Sequence, residues 1–152
     1  MTIRVQREDF DVGAELPALT GDNQAIGGVC VFVGVVREEA GEEALSAMTL
    51  EHYPGMTEQV IEGLVHEASQ RWDVRDARII HRVGSLALSD QIVFVGVCSA
   101  HRGDAFAACE FIMDALKTSA PFWKKELIDG RWVWVEARQS DDEAAAAWLQ
   151  AL

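Results

Sequence analysis

Cysteine, proline and positive charge are all sparse in this sequence. Its three cysteines are an odd number with no C-x-x-C pair, which argues against a disulfide framework and against a zinc site. Lys and Arg number 13 against 25 Asp and Glu, for a formal net charge of -12. A general nucleic-acid surface is therefore not expected, because phosphate contacts need a basic face. No apolar run approaches the roughly 18–20 residues that a membrane helix requires. The opening MTIRVQREDF has no apolar signal-peptide core, so the cytoplasm is the expected compartment. With three prolines and no Ser/Pro-rich linker or repeat, the 152 residues read as one domain over 1–152. Hydrophobic residues at 49% and charged residues at 25% suit a globular chain that buries a core of its own.

What is present is a clear alternation of element types. Ile3–Gln6 reads as a short strand and Val12–Leu19 as a short helix. Gly27–Val36 (GGVCVFVGVV) is a β-branched apolar run, hence a buried strand. Arg37–Glu43 is a charged loop, and Ala44–His52 a strand that would pair with the previous one as a hairpin. Pro54 suits a first helical turn, and Met56–Trp72 carries apolar residues at helical spacing. Asp76–Val83 and Gln91–Ser99 read as strands joined by a Gly84–Asp90 connection. Ala105–Lys117 is a helix with Ala105, Phe106, Cys109, Ile112, Met113 and Leu116 as its apolar stripe, and Pro121 stops it. Trp132–Val135 is a strand, and Asp141–Leu152 a helix capped by Ser140 or Asp141. Helices alternating with paired strands predict an α+β fold with a mixed or antiparallel sheet.

The chemistry concentrates between Ser99 and Glu126, where His101, Arg102, Lys117, Lys124 and Lys125 surround one helix and the turn after it. So many cations in an acidic chain point to an anionic ligand or to developing negative charge. His101 and Arg102 sit at a strand-to-helix junction, where backbone N–H groups and the helix dipole favour anions. The alternative is a solvated cap, with Arg102 paired to Asp104 or Glu110. Lys117 borders the apolar face one turn after Met113 and precedes Pro121, Phe122 and Trp123; an apolar setting would make a lysine a useful acid, base or nucleophile. The local sequence leaves Lys117 and Lys124 open between site and solvated surface. If Phe122–Glu126 is extended, Lys124 and Glu126 share one face and Lys125 takes the other. Arg37 ends a buried strand, but an ion pair with Glu38, Glu39 or Glu42 is the simpler local reading. Cys30, Cys98 and Cys109 lie in apolar settings and are expected to be structural. His52, His66 and His81 lack metal spacing, and the five tryptophans read as core and interface.

The segments LEHYPGMTE, HRVGSL, DQIVFVGVCSAHR, FIMDALKTSAPFWKKE and WVEAR, in that order, resemble the large, catalytic subunit of molybdopterin synthase. The likeness runs from about Val29 to Arg138. It implies an α/β-hammerhead-type fold with a small added subdomain. It also implies a central homodimer carrying a ubiquitin-like sulfur-carrier subunit at each end, a heterotetramer. The carrier's C-terminal Gly-Gly thiocarboxylate would thread into the large subunit. The implied reaction is sulfur transfer onto cyclic pyranopterin monophosphate to give the molybdopterin dithiolene, with no cofactor and no metal. Carried over residue by residue, the catalytic positions fall on Lys117 and Lys124. The substrate-binding positions fall on Arg37, His101, Arg102, Lys125 and Glu126, with Phe32 and Met113 as apolar lining. His101 and Arg102 are the candidates for donation across the dimer. Where such proteins often carry a lysine two residues before the arginine, this chain has Val35, a departure that weakens one of the phosphate contacts the resemblance implies. Two other readings remain beside it: an adaptor that grips a ubiquitin-like tail without turnover, and a small phosphate-ester enzyme. The second lacks a Gly-rich phosphate loop and a metal-ligand cluster.

Overall fold

The computed structural model describes residues 1–38, 45–135 and 139–150. Along the chain the elements are β1 (Thr2–Gln6), α1 (Val12–Thr20), β2 (Gly28–Val35), β3 (Leu45–His52), α2 (Met56–Arg71) and β4 (Asp76–Arg82). They continue with β5 (Gly84–Ala87), β6 (Gln91–Ser99), α3 (Arg102–Thr118), β7 (Phe122–Ile128), β8 (Arg131–Val135) and α4 (Gln139–Gln150). The fold is α+β, with its strands divided between two four-stranded sheets, ordered β1-β4-β6-β2 and β5-β3-β7-β8. In the first sheet β1 runs parallel to β4, and the other pairs are antiparallel. The second sheet is antiparallel throughout.

This division corrects three expectations. The anticipated β2–β3 hairpin does not form: β2 pairs with β6, while β3 pairs with β5 and β7. Residues 39–43 of the Arg37–Glu43 loop between them lie outside the described residues. The supposed connection from Gly84 contains strand β5, which Gly84 opens at φ 86°. That left-handed conformation suits glycine and turns the chain from one sheet into the other. Phe122–Glu126 is extended and continues to Ile128 as β7. α4 starts at Gln139, two residues before the expected Asp141, so both expected caps, Ser140 and Asp141, lie within it.

Helices α2 and α3 cover one face of the first sheet. Ile61, Leu64, Val65 and Ala68 of α2, with Ala108, Cys109, Ile112 and Leu116 of α3, pack on Ile79, Val93, Val95 and Val97. The opposite face is closed by Phe10 against Ile80 and Phe94, with Val12 of α1 alongside. A smaller core of Val36, Met48, Leu50 and Leu86 supports the second sheet. Phe106 leaves the predicted stripe and is 63% exposed. At about 100° per residue it lies roughly 80–120° from Ala105, Ile112 and Leu116, on the face that Met113 and Lys117 share.

Candidate functional site

α3 is the rod on which the candidate residues are hung, and its length separates them. Arg102 opens it and Lys117 lies in its last turn. Fifteen residues at about 1.5 Å each place their backbones about 22 Å apart. The expected single cluster of five cations is therefore not one cluster within one chain.

At the C-terminal end, α3 hands the chain through Pro121 to β7. Thr57, fully buried at the start of α2, fixes this turn: its hydroxyl donates to the Pro121 carbonyl (3.1 Å) and accepts the Tyr53 N–H (3.0 Å). β7 then pairs with β3 so that Phe122 lies opposite His52, Lys124 opposite Leu50 and Glu126 opposite Met48. Alternation puts Lys124 and Glu126 on one face, and their side chains meet at 3.5 Å. Glu126 is buried and Lys124 half-buried, so this charge pair sits partly out of water.

Beneath them lies a residue the sequence reading set aside. His81 of β4 is buried and stacks on the Phe122 ring, with centroids 3.9 Å apart and an 18° tilt. Its Nδ1 lies 2.8 Å from the Arg82 carbonyl, which fixes Nδ1 as the protonated nitrogen of a neutral ring. Burial, reinforced by the positive fields of Lys117 and His52, pushes its pKa down to about 4. His81 thus registers the nearness of Lys117: helix end, β4 and β7 converge there. His52 faces Glu58 across 3.7 Å. The signal for His81 was available in the HRVGSL segment, but one histidine in a strand carries no spacing pattern of its own.

Lys125 takes the opposite face of β7, as alternation requires. It approaches Glu51 (4.0 Å) and lies 4.3 Å above the Trp134 ring. Trp123, Trp132 and Trp134 are exposed, with Trp132 and Trp134 alternating along β8, whereas Trp72 and Trp148 pack around Phe111.

At the N-terminal end, His101 is the N-cap of α3 but makes no side-chain capping bond, and Arg102 follows it. Both side chains are exposed. The alternative reading, Arg102 paired to Asp104, is not what is found: Asp104 accepts the Asp73 N–H at 2.9 Å. Phe32 and Val35 of edge strand β2 are exposed, while Met113 is half-buried on α3. Arg37 is exposed just before the undescribed residues 39–44, and of its proposed partners Glu39 and Glu42 lie among those.

The thiols behave as packing groups. Cys98 and Cys109 are buried and point at the Leu19 and Val95 carbonyls, at 3.7 and 3.6 Å. Burial raises both thiol pKa values, which opposes nucleophilic use. Among the described residues no group of three or more His, Cys, Asp or Glu side chains is arranged to hold a metal ion. No helix among them is long and apolar enough to cross a membrane. A groove between α2, α3 and α4, lined by Leu64, Arg71, Phe111 and Trp148, holds the Arg71–Glu67 ion pair (2.9 Å) and none of the candidates.

Comparison with known proteins bears on this geometry. The family model described as MoaE protein matches residues 5–119. A molybdopterin synthase catalytic subunit from Ralstonia nicotianae is 56% identical over 147 residues, covering 97% of this chain and 84% of that one. The solved molybdopterin biosynthesis MoaE protein from Burkholderia ambifaria superposes with a TM-score of 0.83 at 53% identity, covering 97% of each chain. A Helicobacter pylori structure, a complex of subunits 1 and 2 of molybdopterin-converting factor, shares the fold at a TM-score of 0.73 and 22% identity, over 90% of this chain and 91% of that one. The family model spans most of the chain, and the identity is high over nearly all of it: the chain belongs to the MoaE family, together with molybdopterin synthase catalytic subunits.

Proposed function

We propose that this chain transfers sulfur as the catalytic subunit of a molybdopterin synthase, and that two copies of it build each working pocket. Lys117, Lys124 and Glu126 come from one copy, His101 and Arg102 from the other. The observation that carries this reading is the separation of about 22 Å along α3 between two sets of cations that one small anionic substrate would have to touch. Arg102, Phe106, Met113 and Lys117 follow one stripe of the helix, so a second copy laid along that stripe meets both ends. Phe106, with Val29, Phe32 and Val35 of edge strand β2, supplies exposed apolar surface for it. A two-fold interface is self-complementary, so each copy completes the other's pocket.

The substrate is cyclic pyranopterin monophosphate, and sulfur arrives on the C-terminal thiocarboxylate of a small ubiquitin-like carrier, one on each side of the dimer. The carrier sulfur attacks a pyran carbon that bears oxygen, so that a carbon–sulfur bond forms as a carbon–oxygen bond breaks. Water then cleaves the acyl–sulfur bond, leaving the thiolate on the pterin and a carboxylate on the carrier. A second carrier repeats the step at the neighbouring carbon; of the two oxygens displaced, one is the ester oxygen of the cyclic phosphate, which thereby opens, and the other leaves as water. Arg102 and His101, with Arg37, hold phosphate and pterin through charge-assisted bonds. Lys117 polarises the acyl carbon, and Lys124 stabilises the oxyanion with charge already in place. Glu126 keeps the Lys124 ammonium on the inner face, where its partial burial strengthens each interaction. The sulfur comes from the carrier, so the unreactive settings of Cys98 and Cys109 are no obstacle. The cytoplasm is the compartment that fits this role.

The test is single-turnover conversion of cyclic pyranopterin monophosphate by the chain with thiocarboxylated carrier, for wild type, Lys117→Ala and Lys124→Ala. Dithiolene product from wild type, lost in variants that still bind carrier, is the expected result. Tight carrier binding with no product from any form would make the chain an adaptor.

A further inference from the structure

We propose that Asp73 is a positioning residue for His101 and Arg102, which rests on the reading that those two side chains meet the substrate. Asp73 lies on the connection from α2 to β4, outside every segment that suggested the function. Both halves of the residue reach the β6–α3 corner. Its carboxylate accepts the Ala100 N–H (3.3 Å) and the Ser99 hydroxyl (3.5 Å), and its own N–H donates to Asp104 Oδ2 (2.9 Å). Ser99, fully buried, in turn accepts the His101 N–H at 3.3 Å. Arg75 holds the carboxylate in place, its Nε donating to both oxygens at 2.9 and 3.0 Å, and its backbone N–H is tied to the Cys98 carbonyl (2.8 Å).

The other side of the corner is closed as tightly. The Gly27 N–H donates to the Ser99 carbonyl (2.9 Å), and a Cβ built on Gly27 would overlap the Ala100 carbonyl oxygen. The corner is therefore clamped between β2 and Asp73. A helix usually satisfies its first N–H groups with its own N-cap side chain. Here that side chain is His101, which caps nothing. The carboxylate of Asp104, on the first turn of α3, is taken by Asp73 instead of folding back on its own helix end. The support comes from outside the helix and leaves the imidazole and guanidinium aimed outward. A group displaced by about 1 Å loses much of its effect on a substrate, which makes such a support consequential.

The experiment compares Asp73→Ala in the wild-type and Arg102→Ala backgrounds, measuring steady-state sulfur transfer together with amide exchange over residues 99–105. Asp73 is partly exposed, so the truncated chain is expected to fold. Asp73→Asn, which keeps an acceptor for the Ala100 N–H, is the conservative control. The proposal expects KM for the pterin to rise about tenfold, with kcat within about threefold, and exchange at 99–105 to quicken. In the Arg102→Ala background the same change moves KM by no more than about threefold, because only His101 is left for Asp73 to position. Asp73→Asn recovers most of the loss. Equal effects in both backgrounds, or unchanged exchange, overturn the proposal. An inactive wild type with intact carrier sinks the functional reading instead, so the two failures are distinguishable.

Discussion

The two ends of α3 solve different problems with the same residue types. At the C-terminal end the charges are embedded: Lys124 touches a buried Glu126, and the field of Lys117 reaches a buried histidine stacked on Phe122. At the N-terminal end the backbone is braced by Asp73 and Ser99, while His101 and Arg102 stand in solvent. The first arrangement suits charge held ready where bonds change, since partial burial strengthens electrostatics. The second suits side chains that act on something arriving from outside. Electrostatic effects of mutation should therefore be large at the first end, and effects on substrate affinity should dominate at the second.

The largest break is Lys117→Ala. Turnover is expected to fall on the order of 10²–10³-fold with carrier affinity kept, read by single-turnover kinetics and a separate binding isotherm. A loss within a few-fold would remove Lys117 from the chemistry. Arg102→Ala sharpens the contrast, because its expected signature is a raised KM for the pterin rather than a lowered kcat.

Lys124→Ala should damage two things at once. It removes a catalytic charge and leaves Glu126 buried without its partner. The expected stability loss is about 1–2 kcal/mol, below that of a fully buried pair because Lys124 is half-exposed. Adding Glu126→Gln should restore most of the melting temperature without restoring turnover. Recovery of both would show that Lys124 serves only to neutralise Glu126.

His81 gives the third effect, as a pH dependence. Its folded pKa of about 4 lies below the ordinary 6.5. The unfolded chain therefore binds a proton that the folded chain refuses, and stability falls as the pH drops from about 6.5 toward 4. By pH 5 the loss is roughly 2 kcal/mol. Urea midpoints at pH 7 and 5 measure it, and His81→Gln should flatten the difference; an equal slope in the variant would assign the acid sensitivity to other groups.

Lys125→Ala is expected to do least. On the outer face it forfeits a contact with Trp134 and a long pairing with Glu51, about 0.5–1 kcal/mol at an exposed site. Sulfur transfer should change by no more than a few-fold. A loss as deep as that of Lys117→Ala would mean that the outer face of β7 also lines the pocket.

Much of this could be read from the residues, and what could not was non-local. Gln91–Ser99 was legible to the residue because a β-branched run bounded by Asp90 and Ala100 has few other uses. The inner and outer placement of Lys124 and Lys125 followed from alternation once β7 was taken as extended. β5 was missed because a strand of four residues that opens on a glycine carries too short a period to register. The β2–β3 hairpin was expected from adjacency, yet each strand found its partners elsewhere, a choice made by the two cores and not by local sequence. Phe106 shows the limit of marking apolar residues without turning the wheel: its angle to Ala105 already placed it at the edge. The split of the cation cluster was also within reach, since helix rise alone separates Arg102 from Lys117. Asp73 was not, because its bonds to Ala100 and Asp104 cross about thirty residues of chain.

The most direct measurement mixes Lys117→Ala and Arg102→Ala chains after dissociation and reassociation at equal concentration, with saturating carrier and with pterin well below the KM of the wild type, where each variant alone turns over little. If each pocket draws one set of cations from each copy, half of the dimers are mixed and each mixed dimer regains one intact pocket. Activity should then return to about a quarter of wild type. A mixture as inactive as its components, with mixed dimers shown to form, would contradict a pocket shared between two copies.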